Sequence, residues 1–202
     1  MADEILVETN WILDACFHQD DASEALLDYA GAGRVAILLP SFCLAEAIKA
    51  VETKTAVWDS LAIRLRDTRA DVSRSRTLAP FAENLQQAEF ALAEMADAAE
   101  REFWDVLGRI VTVARLVEPT KEGVALTARV RDLFKLSPAD SAVLATVSEA
   151  RRTGVCSSFM SRDGIFGTPG PRGLMEREGI VYHSNAAPIV GPIRQRLERE
   201  GR

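Results

Sequence analysis

The chain has 202 residues, 48% of them hydrophobic and 27% charged, which supplies a real core and excludes disorder over most of its length. A net charge of −6 excludes a protein that coats nucleic acid by bulk charge. No apolar run approaches the roughly 18–20 residues of a membrane span, and the length suits a single domain over 1–202.

Ile5-Leu6-Val7 is a short β-prone run that ends at Glu8-Thr9-Asn10. Helical spacing follows, with Ala25, Leu26, Tyr29 and Ala30 on one stripe before Gly31-Ala32-Gly33 stops it. Val35 to Leu39 is a continuous apolar run closed by Pro40, the pattern of a strand covered on both faces. Ser41 is the expected N-cap of the next helix, which carries Leu44, Ala45, Glu46, Ile48 and Lys49.

The helical pattern then persists far longer than a compact α/β unit requires. Val57, Leu61, Leu65, Thr68 and Val72 recur at three- and four-residue steps. After a break at Ala79-Pro80, Leu85, Ala88, Leu92, Met95, Ala99, Phe103, Val106 and Ile110 repeat the stripe. An α-helical hairpin insertion over about residues 52–112 is therefore expected. Its first arm carries Arg64, Arg66, Arg69, Arg74 and Arg76 against Asp67 and Asp71. Its second carries Glu83, Glu89, Glu94, Asp97, Glu100, Glu102 and Asp105 against Arg101. If Leu61, Leu65, Thr68 and Val72 face the partner helix, then Arg66, Arg69 and Arg76 share another face, free to point outward and contact RNA phosphates. The competing expectation pairs Arg64, Arg66 and Arg69 with acids of the second arm.

A strand ending at Leu116-Val117 comes next, then a helix over Lys121 to Phe134. Ser137 as N-cap and Pro138 at the first position open another helix, which runs to Thr153-Gly154. Val155 to Ser161 reads as a strand, Arg162 to Gly173 as turns, Leu174–Glu178 as a short helix and Ile180 to Tyr182 as a strand. A final helix spans about Ile189 to Glu200. The alternation gives an α/β fold, a parallel sheet of about five strands flanked by helices.

The acidic start Met1-Ala2-Asp3-Glu4 argues against a signal peptide. Cys16, Cys43 and Cys156 each sit among apolar neighbours, which argues against a disulfide framework or zinc cluster. A reduced, cytoplasmic protein is expected. His18 and His183 have no partner at ligand spacing, Trp58 and Trp104 suit packing on the hairpin arms better than base stacking, and no phosphate-binding loop is present.

In open parallel sheets ligands gather at the carboxyl ends of the strands, and four acids fall at that edge. Glu8 ends the first strand, Glu46 lies in the first turns after the second, Asp140 opens the helix before the fourth, and Asp163 closes the fourth. Taken singly, Asp140 is a helix-start acid, Asp163 a turn residue before Gly164, and Glu46 a surface residue. Taken together, converging carboxylates hold a hard divalent cation or share a proton.

The conjunction resembles the PIN-domain ribonuclease family. Its pieces are Leu6-Val7-Glu8-Thr9-Asn10 with Ile12-Leu13, Pro40-Ser41 with Glu46, Ser137-Pro138-Ala139-Asp140 through Thr146, and Phe159-Met160-Ser161-Arg162-Asp163 with Phe166. They cover about residues 4–52 and 112–185. The chain departs from the family in carrying Glu8 where Asp is usual, and in its long hairpin. The resemblance implies a PIN-like fold and a metal-dependent endoribonuclease acting on single-stranded RNA. Glu8, Glu46, Asp140 and Asp163 would hold Mg²⁺ or Mn²⁺, and Asn10 and Ser161 would orient carboxylates or metal-bound waters. RNA is the implied substrate; an antitoxin protein and a homodimer are the further expected partners, with no membrane. Two alternatives stay open: a PIN-like scaffold that binds RNA or protein without cutting, and a Mg²⁺-dependent small-molecule phosphohydrolase. The latter normally wants Asp-x-Asp after the first strand, where this chain has Glu8-Thr9-Asn10.

Overall fold

A computed structural model describes residues 3–200. Five parallel strands make one sheet: β1 (Asp3–Val7), β2 (Val35–Pro40), β3 (Arg115–Val117), β4 (Ser158–Met160) and β5 (Val181–His183), in the spatial order β3-β2-β1-β4-β5. The helices are α1 (Thr9–Cys16), α2 (Asp21–Gly31), α3 (Ser41–Val72), α4 (Ala82–Val113), α5 (Lys121–Phe134), α6 (Pro138–Arg152), α7 (Pro169–Arg177) and α8 (Ala187–Glu200).

β1 is central, and its Ile5, Leu6 and Val7 are buried, as a strand covered on both faces demands. The chain first winds outward through β2 to β3, then returns across β1 to build β4 and β5. That reversal opens a crevice at the carboxyl ends of β1 and β4, where Val7 pairs with Met160. Around the sheet, Trp11, Leu26, Leu38, Phe103, Ile110, Leu144, Phe159 and Phe166 join one core. Among the described residues no helix is long and apolar enough to cross a membrane.

Several expectations are corrected. The first helical stretch is two helices, α1 and α2, parted at His18, whose φ of +49° breaks the helical path. The sequence stripe marked only α2, because α1 is eight residues long, little more than two turns in which a period can show. Ser41 is not an N-cap: it is the first helical residue of α3, Pro40 occupies the cap, and the Ser41 hydroxyl donates to Glu118 at 2.8 Å. β4 is shorter than Val155 to Ser161, α7 starts earlier at Pro169, and β5 lies one residue later than expected.

α3 and α4 pair along their lengths as an antiparallel hairpin joined through a short 3₁₀ turn at Ala79–Phe81. The seam on α3 runs through Val51, Thr55, Trp58, Ala62, Leu65, Arg69 and Val72, and on α4 through Leu85, Glu89, Leu92, Ala96, Ala99 and Phe103. These alternate steps of three and four keep one face inward. Leu61 is 41% exposed, and Val57, Thr68, Ala88 and Met95 are exposed too, each one position before a seam residue, while Leu65, Val72, Leu85, Leu92, Ala99 and Phe103 face inward as expected. The arginines depart from expectation as well. Arg69 lies in the seam with Arg66 beside it, and both meet Glu89, at 3.3 and 2.8 Å. Arg76 lies beyond the end of α3, in the turn. The expected outward face shared by Arg66, Arg69 and Arg76 therefore does not form.

Candidate acidic site

Glu8 follows β1 directly and serves as the N-cap of α1. Its Oε2 accepts a 2.9 Å hydrogen bond from the backbone N–H of Asn10. The residue is 5% exposed, and its other oxygen, Oε1, is buried without a hydrogen-bond partner among the described residues. Burial raises the carboxyl from 4.5 to about 7. The Asn10 N–H and the nearby Ser161 hydroxyl oppose that rise, while the charges of Asp163 and Glu46 add to it.

Asp163 reaches Glu8 because β4 neighbours β1. The Asp163 N–H donates to the fully buried Ser161 hydroxyl at 2.9 Å, and the Asp163 Oδ1 caps the following 3₁₀ turn by accepting from Ile165 at 2.9 Å. From β5, the Tyr182 hydroxyl donates to the Ser161 carbonyl at 3.0 Å. Burial, then the charges of Asp163 and Glu8, pushes the Tyr182 phenol up, so it stays a donor at neutral pH. Glu46 arrives from the other side on the second turn of α3, where its Oε2 accepts from the buried Thr9 hydroxyl. Cys43, one turn earlier, is buried beside both acids and its thiol is pushed up to about 12, mainly by burial, so it is no nucleophile.

The structure thus brings Glu8, Glu46, Asp163 and Ser161 together at the crevice. Asp140 is not among the charges acting on Glu8. Its N–H donates to the Ser137 hydroxyl at 3.1 Å while its Oδ2 accepts from the same hydroxyl group at 2.6 Å, a local cap at the start of α6. Asn10 reaches Glu8 through its backbone N–H, and its side chain lines a neighbouring cavity. Among the described residues no three His, Cys, Asp or Glu side chains already form a group that could hold a metal.

Three residues escaped the sequence. Asp14 sits one turn after Asn10 on α1, only 4% exposed, and Arg162 lies between Ser161 and Asp163. Arg162 Nη1 meets Asp14 Oδ1 at 2.6 Å, tying α1 to the end of β4. The only sequence signal was the four-residue spacing from Asn10 to Asp14, which puts both on one helical face. Tyr182 carried no signal, since its role depends on β5 lying next to β4.

No protein-family model matches the chain, and no curated protein matches it. Among solved structures it is similar to a chain in the crystal structure of VapBC2 from Rickettsia felis bound to a DNA fragment from their promoter. Identity is 11% and the TM-score 0.44, over 89% of this chain and 97% of that one. A likeness that distant decides nothing about the site, which stands on its own residues.

Proposed function

We propose that the chain is a PIN-like, metal-dependent endoribonuclease that hydrolyses phosphodiester bonds of single-stranded RNA. One observation carries this: at the crevice where the sheet reverses, Glu8 keeps a buried carboxylate oxygen without a partner while facing the charges of Asp163 and Glu46. A buried carboxyl held that way is built for a cation rather than for stability. All the donors are hard oxygens, which fits Mg²⁺ or Mn²⁺. Glu8, Glu46 and Asp163 would hold the ion, with Asp140 joining once its bond to Ser137 opens.

When bound, the cation supplies a water of lowered pKa and stabilises charge on the phosphate and the leaving 3′-oxygen. The chain supplies the rest. The Asn10 N–H and the Ser161 hydroxyl favour the ionised form of Glu8, and Thr9 orients Glu46. Tyr182 fixes the Ser161 backbone and so the turn that carries Asp163. An antitoxin protein, a homodimer and a cytoplasmic location belong to the same proposal.

A non-cutting scaffold is the second reading, and one observation favours it: the acids do not yet form a three-residue group, and Asp140 is engaged by Ser137. Labelled single-stranded RNA, incubated with Mg²⁺ or Mn²⁺ or with EDTA, separates the two. The nuclease yields 5′-phosphate and 3′-hydroxyl ends only with metal, and Glu8→Gln and Asp163→Asn each abolish cleavage. RNA bound but uncut under every condition would establish the scaffold.

A further inference from the structure

The outer half of the hairpin carries a second apolar stripe beside its seam. On α3, Val57 and Leu61 are 53% and 41% exposed; on α4, Met95 is 49% exposed and flanked by the exposed alanines Ala91 and Ala98. Positions just before the seam on two antiparallel helices come to lie on the same side of the pair. The base of the hairpin bears this out. Lys54 and Glu102 hold equivalent positions there, and both meet the α1–α2 corner: Lys54 Nζ lies 5.2 Å from the Phe17 ring centre, and Glu102 Oε1 lies 2.7 Å from His18. One side of the hairpin is thus packed at its base and bare beyond.

The two sides differ in chemistry. Next to the seam on the bare side stand Leu61 and Thr68 of α3 with Ala88 and Met95 of α4, none of them charged. On the other side the same places hold Asp59, Arg66, Gln86 and Glu100, which suit water. An uncharged stripe rimmed by charge, with small residues that let helices approach closely, is a face for other helices.

The rims say which helices. Arg66 and Arg69 on Glu89 fix the level of α3 against α4, so that Leu61 lies within about half a turn of Met95, and Arg64 of Glu94. Arg64 and Glu94 are exposed, and neither forms an ion pair among the described residues. The α3 stripe therefore calls for a helix with small apolar residues and an acidic rim, and the α4 stripe for one with a basic rim. A second copy of this chain supplies both at once, and such a pairing closes on itself.

Charge also selects the symmetry. A two-fold axis across the hairpin would lay α3 on α3 and α4 on α4, setting like charges together. A two-fold axis along the hairpin lays each α3 on the α4 of the other copy, with each Arg64 opposite a Glu94. We propose that the chain forms this second dimer, a four-helix bundle of the outer hairpins. It gives a surface and a symmetry to the homodimer named above, and it shares no residue with the acidic site.

The test reads mass rather than cleavage, so it stands apart from the nuclease proposal. Sedimentation velocity of the full chain from about 1 to about 200 µM should show a shift from monomer to dimer, since a face this small gives a weak interface. Met95→Glu and Leu61→Glu, both at exposed positions, should stay monomeric with an unchanged circular dichroism melt. Arg64→Glu and Glu94→Arg should each weaken the dimer about fivefold or more. Mixing those two variants should restore it, because each reversed charge then meets an opposite one on the other chain. A wild type monomeric throughout, a dimer indifferent to Met95→Glu, or a mixture no tighter than its components would overturn the proposal. Monomers that bind single-stranded RNA and lose it in Arg64→Glu would assign the face to RNA instead.

Discussion

Arg66 Nε donates a 2.8 Å hydrogen bond to Oε1 of Glu89, a carboxylate only 6% exposed in the seam of the helical hairpin. Arg69 approaches the other oxygen at 3.3 Å, so one buried acid holds two basic residues of the opposite helix. Ion pairs of this kind fix register more than they add stability, because burying the carboxylate costs much of what pairing returns. Glu89→Ala should destabilise the protein by about 1–3 kcal/mol, through lost packing and pairing. Glu89→Leu, which completes an apolar seam, should stay within about 1 kcal/mol of the wild type or exceed it. Urea denaturation of both variants measures the difference.

The same pairing predicts how RNA binding responds to salt. Arg66→Gln and Arg69→Gln should lower Tm and leave the salt slope unchanged, since these arginines are engaged within the hairpin. Arg76→Gln, in the turn beyond α3, should flatten the slope by about 0.7, one single-strand phosphate contact. Filter binding across a salt series checks all three.

Glu8 should make the metal-free protein sensitive to pH. Its carboxyl rises from 4.5 to about 7 on folding, so the stabilisation of its neutral form is complete below pH 4.5 and is lost as pH climbs through 7. Thermal melts in EDTA should show the wild type losing up to roughly 3 kcal/mol between pH 4.5 and pH 8. Glu8→Gln should flatten that window and be the more stable protein at pH 8. Parallel curves for the two would show that Glu8 ionises as easily in the native state as in the unfolded chain.

Ser161→Ala removes a hydroxyl that favours the ionised Glu8. Glu8 should then hold its proton to still higher pH, and the acid limb of the pH–rate profile for RNA cleavage should move upward with it. A variant that lost rate equally at every pH would have lost position rather than ionisation.

His18 Nδ1 lies 2.8 Å from Glu24 and Nε2 lies 2.7 Å from Glu102, linking the α1–α2 corner to the hairpin. The hydrogen bonds to Glu24 and then Glu102 lead the causes that raise its pKa above 6.5. The link is complete below pH 6.5 and is lost as pH rises through the raised value. An NMR titration of the imidazole should show the elevation, and Glu24→Gln should reduce it most.

The sequence made the sheet legible wherever a strand was both apolar and punctuated. Val35 to Leu39 ends at Pro40, and Ile5 to Val7 ends at a charged residue, and both strands stand where expected. Glu8, Glu46 and Asp163 stood out as candidates because each ends a strand or lies in the first turns of the helix that follows. Asp140 was read from the same position, but its nearest partner was already in the sequence, three residues earlier at Ser137. The hairpin misled because α4 has alanines on several sides. Ala88 fits a helical stripe as well as Glu89 does, and hydrophobicity alone selects the wrong one. The i,i+4,i+7 steps from Leu85 through Leu92 pointed to Glu89 only if an acid was allowed in the seam. Asp14 and Arg162 could not be matched at all, since they are distant in sequence and meet only once β4 lies against β1.

That late meeting sets the order in which the protein can be made. The central strand β1 is translated first, yet on one side its partner is β4, with Ile5 opposite Ser158. As the ribosome proceeds, β1 can pair with β2 alone, while its other edge stays open until the last third of the chain emerges. Loop closure over that separation is slow, and an open edge strand invites pairing with other chains. Nascent chains halted between Arg115 and Ser158 should therefore depend on chaperones, and the carboxylate of Glu8 stays solvated, with an ordinary pKa, until synthesis passes β4.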